Sequence, residues 1–512
     1  MRILFLSLLI CSLGYTQKTR KIYSSYTNVK GRHSKMFQEC VGAGRANEGL
    51  RADWQQQLKQ VRDDCGFKYI RFHGLLHDDM GVYTEDGDGN AQYNWRYIDV
   101  LYDYLLEINM KPFVELSFTP SALKTNDKTV FWWKGNISPP KSYDTYYEFI
   151  RALTQHLEDR YGTKEVKSWY FEVWNEPNLE AFFSGTMDEY FKMYATAAKA
   201  IKDVNSSYKV GGPATAGGQW VTEMLAYCRA NNQPLDFIAT HTYGVKGFLD
   251  EFGKNQLIMK PNPHEMHEKV NRIRKEMNAS SFADAELHFT EWSSSYSPTD
   301  NVHDTYQNAS YVLNTLKNSE DAATSMSYWT FTDIFEEPGI PRGAFHGGFG
   351  LMNLHGIKKP TYLVYEYMNK LGPEELQTKD TDVWICKNKD GVQALFWDFT
   401  FLDQKGVHNR EFYTQIIPSK IKSEVNFTIE DLPNGEYKVE KYRIGFESND
   451  VFTAYAKMGR PVHLSKVQEA ELKKMASGEP YDTEIVNVTN GVYKENFPLR
   501  ENDVYFVQLK HL

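Results

Sequence analysis

Short apolar runs alternate with amphipathic helical patterns along residues 37–370. Between the runs, apolar residues recur three and four positions apart, as on one face of a helix, for example over residues 54–65 and 190–204. Strands that alternate with helices pair in parallel through right-handed crossovers. The eight runs of strand length cover residues 39–44, 68–73, 112–118, 169–174, 209–213, 237–241, 287–291 and 325–330.

Eight such units predict an α/β fold, a (β/α)8 TIM barrel over residues 37–370. An open doubly wound sheet is the alternative, and it is disfavoured because no glycine-rich phosphate loop follows the first run. Residues 371–512 change to turn-punctuated runs of period two, which predict a C-terminal antiparallel β-sandwich. The N-terminal segment, residues 17–36, is a candidate additional strand of that sandwich.

The N-terminus has the pattern of a secretory signal peptide over residues 1–16. A positive residue, Arg2, precedes an apolar run over residues 3–13 that is far too short to span a bilayer. No other stretch resembles a membrane span, so we expect a secreted or periplasmic protein. Cys40 and Cys65 could be bridged, although buried free thiols fit their spacing better.

Composition narrows the range of partners. With 41% hydrophobic and 24% charged residues, the chain is globular rather than disordered. A formal net charge of -9 argues against nucleic acid and anionic membrane surfaces as partners. The oligomeric state stays open, a homo-oligomer included.

Two glutamates follow strand-like runs. Glu176 lies in the stretch Trp-Asn-Glu-Pro-Asn just after the fourth run, and Glu291 lies in Phe-Thr-Glu-Trp at the end of the seventh. The carboxyl ends of barrel strands meet at one mouth, so we expect the two side chains to face the same pocket. One carboxyl held protonated beside one held ionised is what glycoside cleavage requires.

These motifs resemble the large clan of retaining glycosidases with catalytic glutamates on strands four and seven. Within it the chain resembles glycoside hydrolase family 39, the β-xylosidase and α-L-iduronidase family. The resemblance is carried by residues 71–74 (Arg-Phe-His-Gly), 174–178, 328–337 and 345–351, and the last two segments resemble the β-xylosidase branch. It implies that Glu176 is the general acid/base and Glu291 the nucleophile.

Further candidates for substrate binding stand at other strand ends. Asn175 is placed to bond the sugar 2-hydroxyl, and His73 is a candidate for the 3- and 4-hydroxyls. His241 and Tyr243 share one face of strand six, and the resemblance implies that Tyr243 bonds the nucleophile. The resemblance also makes Glu336 and Glu337 hydroxyl acceptors and Trp329 the floor under the sugar. Taken alone, the His-x-Tyr pair would favour packing, and the Glu-Glu pair a solvated loop.

For several other residues the sequence does not decide between a role in the site and a structural role. Arg71 either donates to a catalytic glutamate or forms a structural ion pair, and His346 either shapes the pocket or packs in the core. The loop aromatics either wall the leaving-group side or pin the loops to the barrel; they are Trp132, Trp133, Phe182 and Phe183.

The predicted function is that of a retaining exo-glycosidase that removes terminal β-D-xylosyl residues from xylo-oligosaccharides. The alternatives are an iduronidase-like or arabinosidase-like enzyme on the same scaffold, or a non-catalytic glycan-binding protein. Recognition of a uronate would require basic groups beside the carboxylate of the sugar, and Arg342 is the only obvious basic residue in the strand-eight loop. No cofactor and no metal are expected: residues 264–267 (His-Glu-Met-His) lack the His-Glu-x-x-His spacing, and there is no dinucleotide fingerprint.

Overall fold

A computed structural model describes residues 19–512, and the predicted signal peptide lies outside them. Eight parallel strands close into a barrel in which each strand pairs with its neighbours in the sequence and the eighth pairs with the first. The predicted fold class is confirmed. In chain order the barrel strands are Cys40–Arg45, Tyr69–His73, Lys111–Glu115, Tyr170–Glu172, Lys209–Thr215, Phe237–Tyr243, Glu286–Ser293 and Ser325–Tyr328.

A helix follows each barrel strand and covers its outer face. Local signals delimit these helices: Thr186 and Glu189 form a capping box at the start of the fourth, and Gly66, at φ 78°, ends the first. In the same order the helices are Ala52–Cys65, Arg96–Glu107, Tyr143–Tyr161, Met187–Val204, Val221–Ala230, Glu265–Asn278, Tyr306–Lys317 and Pro360–Lys370.

Two short insertions shape the mouth of the barrel. The loop after strand three carries a small hairpin of Thr129–Val130 and Gly135–Asn136. The loop after strand six carries a longer one of Val245–Leu249 and Asn255–Met259. A third hairpin, Tyr83–Glu85 with Ala91–Tyr93, lies in the second loop.

Behind the barrel lies a β-sandwich to which both ends of the chain contribute. Its larger sheet has seven strands in the order Val29–Arg32, Glu374–Leu376, Val383–Asn388, Gly391–Trp397, Val504–His511, Gly435–Ile444 and Asp482–Val488. The smaller sheet has Thr19–Ser25, Ile421–Glu430 and Tyr493–Arg500. Most pairs are antiparallel, but Thr19–Ser25 runs parallel to Ile421–Glu430. The short helices of this half are Asn409–Phe412, Val451–Lys457 and Lys466–Met475.

Two further observations concern the state of the cysteines and the length of the apolar helices. Each of the four cysteines in the described part of the chain is buried and unbridged, so Cys40 and Cys65 are separate thiols. Among residues 19–512, no helix is both long and apolar enough to cross a bilayer.

Candidate active site

Glu176 reaches the barrel mouth through a tight backbone turn. The fourth strand ends at Glu172, and the chain then passes through positive φ angles at Trp174 (73°) and Glu176 (45°). The Glu176 amide donates to the carbonyl of Ala214 on strand five at 2.8 Å. This turn is anchored to the neighbouring strand and directs the carboxyl into the cavity.

Glu291 faces Glu176 from within strand seven. One oxygen of each carboxyl and one nitrogen of His241 all lie within 4.8 Å of one another. His241 Nδ1 lies between the two, 2.9 Å from Glu176 Oε1 and 3.5 Å from Glu291 Oε2. The predicted meeting of the two glutamates at one pocket therefore holds in the structure.

Arg71, fully buried on strand two, is the hub beneath the pair. Its Nη1 donates to Glu291 Oε1 at 2.5 Å, and its Nη2 donates to the Asn175 amide oxygen at 2.9 Å. Its Nε donates to Glu172 at 2.7 Å, and Nη2 also lies 2.7 Å from Glu115. The planar fork of a guanidinium suits such multiple contacts. Arg71 thus fixes the position of Glu291 and of Asn175 together.

The two glutamates have different electrostatic surroundings. Burial raises the pKa of Glu176 to about 7, although the charges of His73 and Arg71 oppose the shift. Glu291 instead receives the Arg71 guanidinium and the hydroxyl of Tyr243, which donates to Oε2 at 2.6 Å. Charge-assisted donors of this kind stabilise the ionised form. Burial thereby suits Glu176 to hold a proton, whereas the donors around Glu291 fix its carboxyl at the cavity.

The two histidines of the site also differ in pKa, which is raised for His73 and lowered for His241. Burial lowers the pKa of His73, but the charge of Glu115, 2.8 Å from Nδ1, and the hydrogen bonds to Glu115 and Glu337 together outweigh it and raise the pKa to about 10. Burial lowers the pKa of His241 to about 3, so this ring is neutral. His73 Nε2 also lies 3.5 Å from Glu337. Burial raises the pKa of Glu337 to about 7 against the opposing effect of His73.

A cavity of about 510 Å³ opens above the two glutamates. Of the predicted binding residues, five line it and one lies beneath them: His241 is fully buried and touches the site only through the glutamates. The five that line the cavity are His73, Asn175, Tyr243, Trp329 and Glu337.

Glu336 departs from the expectation. The side chain does not line the cavity, because its two oxygens are held by arginines, Oε2 by Arg45 Nη2 and Oε1 by Arg51 Nη1, each at 2.9 Å. Residues 336–339 form a turn closed by the Gly339 amide, which donates to the carbonyl of Glu336 at 3.1 Å, and the two side chains leave it in different directions: Glu337 faces the cavity and Glu336 faces the arginines. Of the two adjacent glutamates, Glu337 therefore belongs to the pocket and Glu336 has a structural role.

The loop aromatics divide between the two roles left open above. Phe182 lines the cavity, whereas Trp133 and Phe183 are buried in the packing of the loops. Trp132 is 56% exposed, but its amide donates to the carbonyl of Glu337 at 2.8 Å and joins the loops after strands three and eight. His346 and Arg342 do not line the cavity either. His346 Nδ1 lies 3.0 Å from the carbonyl of Gly343, and Arg342 is exposed.

Sequence reasoning missed the buried carboxylates under the pocket. Glu115 and Glu172 end strands three and four inside the barrel and bind Arg71, and Glu172 also accepts the Thr290 hydroxyl at 2.6 Å. For Glu115 and Glu172 the sequence did contain a signal, an acidic residue inside an otherwise apolar strand, since buried carboxylates are rare unless paired. The sequence analysis also missed Phe131, whose ring stacks on His73 with centroids 5.8 Å apart.

Glu176, His241 and Glu291 together could offer three ligand atoms to a metal ion. The Arg71 guanidinium 2.5 Å from Glu291 repels a cation there, and the three side chains already contact one another. The trio fits a proton-transfer site better than a divalent cation.

Comparison with known proteins agrees with this geometry. The family model described as Glycosyl hydrolases family 39 matches residues 21–486. The chain is 36% identical over 503 residues to a beta-xylosidase of Geobacillus stearothermophilus, with 96% of each chain covered. It is 45% identical over 369 residues to a beta-xylosidase of Caldicellulosiruptor saccharolyticus, covering 72% of this chain and 75% of that one. The crystal structure of a monomeric beta-xylosidase from Caulobacter crescentus CB15 matches with a TM-score of 0.93 at 41% identity, over 96% of this chain and 100% of that chain. The chain, as its motifs predicted, belongs to glycosyl hydrolases family 39.

Proposed function

We propose that this protein is a retaining exo-β-xylosidase that releases terminal β-D-xylosyl residues from xylo-oligosaccharides. The observation that carries the proposal is the pair Glu176 and Glu291, with one oxygen of each within 4.8 Å of the other across one cavity. Carboxyls about 5–5.5 Å apart suit retention, whereas inversion needs about 6.5–9.5 Å to admit a water. The relatives named beta-xylosidase support the sugar.

The mechanism follows from the two environments. The carboxylate of Glu291, positioned by Arg71 and Tyr243, attacks the anomeric carbon while Glu176 donates its proton to the leaving oxygen. The bond from the anomeric carbon to the leaving oxygen breaks, and a glycosyl ester forms on Glu291. Glu176, now ionised, then takes a proton from water, whose oxygen attacks the anomeric carbon. The bond from that carbon to the Glu291 oxygen breaks, which releases the sugar with its configuration retained and leaves Glu291 ionised and Glu176 protonated.

Removal of a terminal sugar is favoured by the closed side of the cavity. The loops after strands three and eight are tied together by the backbone bond from Trp132 to Glu337, above strands one and two. On that side His73 is flanked by Phe131 and Trp329, with ring centroids 5.8 and 4.8 Å away. These contacts support a wall at which the sugar chain ends, so that the sugar bound there is the terminal one.

The same wall favours a neutral sugar over a uronate. Glu337 lines this end of the cavity, and above its pKa of about 7 its carboxylate would repel the carboxylate of an iduronosyl residue. Arg342, the basic candidate in this loop, does not line the cavity. The structure around Glu337 therefore supports xylose over the iduronidase-like alternative.

A panel of aryl glycosides tests the sugar, and azide tests the roles of the glutamates. We expect the β-D-xyloside to give the highest kcat/KM; preferred cleavage of an arabinoside or iduronide would overturn the xylose assignment. Replacement of Glu291 by alanine should stop turnover, and added azide should then form the α-xylosyl azide. Azide with the Glu176→Ala variant should form the β-azide from an activated substrate. Exchange of the two product configurations would reverse the assigned roles.

We also propose that residues 1–16 direct export of the chain to the periplasm or medium. The support is Arg2 followed by the apolar run of residues 3–13. Mass spectrometry of the protein recovered outside the cytoplasm should find a mature N-terminus close to residue 17. An intact Met1 in the cytoplasmic fraction would contradict this proposal.

A further inference from the structure

The side of the cavity opposite the closed wall carries two lysines that the mechanism does not use. Lys260 follows the hairpin after strand six, Lys269 lies in the helix that comes next, and both line the cavity with the two glutamates. Resting on the proposed function, we propose that these lysines form a leaving-group subsite for a carboxylate. The preferred substrate would then carry a uronic acid next to its terminal xylose.

The position of the lysines places them on the leaving-group side. The terminal sugar lies against His73, Glu337 and Trp329, over strands one, two and eight. In an eight-stranded ring, strands five and six lie across from strands one and two. The part of the cavity above strands five to seven is lined by Gln219, Tyr296 and the two lysines. Everything beyond the bond that breaks must extend in this direction.

The charge of Lys269 has no internal partner. Lys260 is paired with Glu265 at 2.7 Å, and the neighbouring Arg272 is paired with Glu276 at 2.6 Å. No carboxylate of residues 19–512 lies within 4.0 Å of an Lys269 nitrogen. A half-buried ammonium without a counter-ion is costly, and a bound carboxylate would compensate it.

The electrostatics of Lys269 agree with a site that binds an anion. Burial and the charges of Lys260 and Arg272 together lower the pKa of Lys269 to about 8, while Glu265 opposes them. A substrate carboxylate would stabilise the protonated form. The preference for an acidic leaving group should therefore be largest below pH 8 and fall as the pH rises above it.

The test uses two aryl β-D-xylosides that differ in one group. One leaving phenol carries a carboxylate and the other the matching carboxamide, on a nitrophenol ring chosen so that the two phenols have similar pKa values. The measurement is the ratio of their kcat/KM values, in which a general loss of turnover cancels. We expect a ratio of about three or more in favour of the carboxylate for the unmodified enzyme at low salt, falling with added salt.

Two lysine variants make the test specific. Lys269→Met should bring the ratio close to one, whereas Lys275→Met, an equal change of charge at an exposed position of the same helix, should leave it as it was. Equal ratios in the unmodified enzyme and the Lys269→Met variant would overturn the subsite. If neither xyloside were cleaved, the proposed function would fail instead, and the same pair of leaving groups on the sugar that the panel identifies would still test the subsite.

Discussion

Glu176 shows most directly how a single residue acquires its chemistry from its surroundings. Its carboxyl is 7% exposed, and that burial raises its pKa to about 7. Asn175 beside it is fixed by Arg71, and His241 touches it from below. The motif around Glu176 identified the residue from sequence, but its pKa depends on burial that only the folded barrel supplies.

The pH profile should report the proton on Glu176. For a substrate with a poor leaving group, such as xylobiose, we expect kcat/KM to fall about tenfold per pH unit above pH 7, because ionised Glu176 cannot donate. A 2,4-dinitrophenyl xyloside, whose phenolate leaves without a proton, should lack this decline. The same alkaline decline in the Glu176→Gln variant with xylobiose would show that another group is responsible.

The pair Glu336 and Glu337 offers a matched comparison between neighbours. Glu337 lines the cavity, so its replacement by glutamine should lower kcat/KM about 10- to 100-fold. Glu336 is bound to Arg45 and Arg51 outside the cavity, so the same replacement there should mainly lower the midpoint of thermal unfolding. Steady-state kinetics measures kcat/KM and calorimetry measures the unfolding midpoint of both variants. An equal loss of kcat/KM in both would contradict the placement of Glu336 outside the cavity.

At the scale of elements, the functional groups stand at or just beyond the carboxyl ends of five barrel strands, namely strands two, four, six, seven and eight. The alternation of apolar runs and helical patterns was enough to predict the barrel, the sandwich and the strand ends that meet. It could not predict which way each end turns. The register shift between Thr240 and His241, and the positive φ at Glu176, decide which side chains enter the cavity. Such local departures from regular geometry have no period in the sequence.

Packing between strands one and eight also positions the site. A Cβ atom built on Gly42 of strand one would lie 2.4 Å from Cε3 of Trp329, the proposed floor under the sugar. The Gly42→Ala variant should therefore displace Trp329, lower kcat/KM at least tenfold and cost about 1–3 kcal/mol of stability. Gly31→Ala, in the sandwich with nothing within 4 Å, is the control and should change neither. Unchanged kinetics of Gly42→Ala would show that the indole position is not critical.

At the scale of the whole molecule, the sandwich joins the two ends of the chain. Thr19–Ser25 pairs with Ile421–Glu430, and Arg20 donates to Asp380 at 2.7 Å. Ile22 of this strand is fully buried in the sandwich core. The sequence predicted a second β-rich unit after residue 370 and offered residues 17–36 as a candidate strand of it, but the partner and direction of that long-range pairing leave no local pattern.

Ile22 should therefore matter for stability and not for catalysis. Ile22→Ala should lower the free energy of unfolding by about 2–5 kcal/mol, because it opens a cavity in the sandwich core. Tyr23→Ala, at a neighbouring position that is 51% exposed, should cost well under half of that. Denaturant titration measures both, and equal effects at the two positions would contradict the core role of Ile22.

The pairing of Thr19–Ser25 with residues near Glu424 has a consequence for biosynthesis. The first strand emerges from the ribosome about 400 residues before its partner. At roughly 5–20 residues per second, it waits on the order of tens of seconds with its backbone unpaired. An unpaired strand edge is a template for aggregation. The nascent chain therefore needs protection, by a chaperone or by delayed collapse, until translation has passed Glu430.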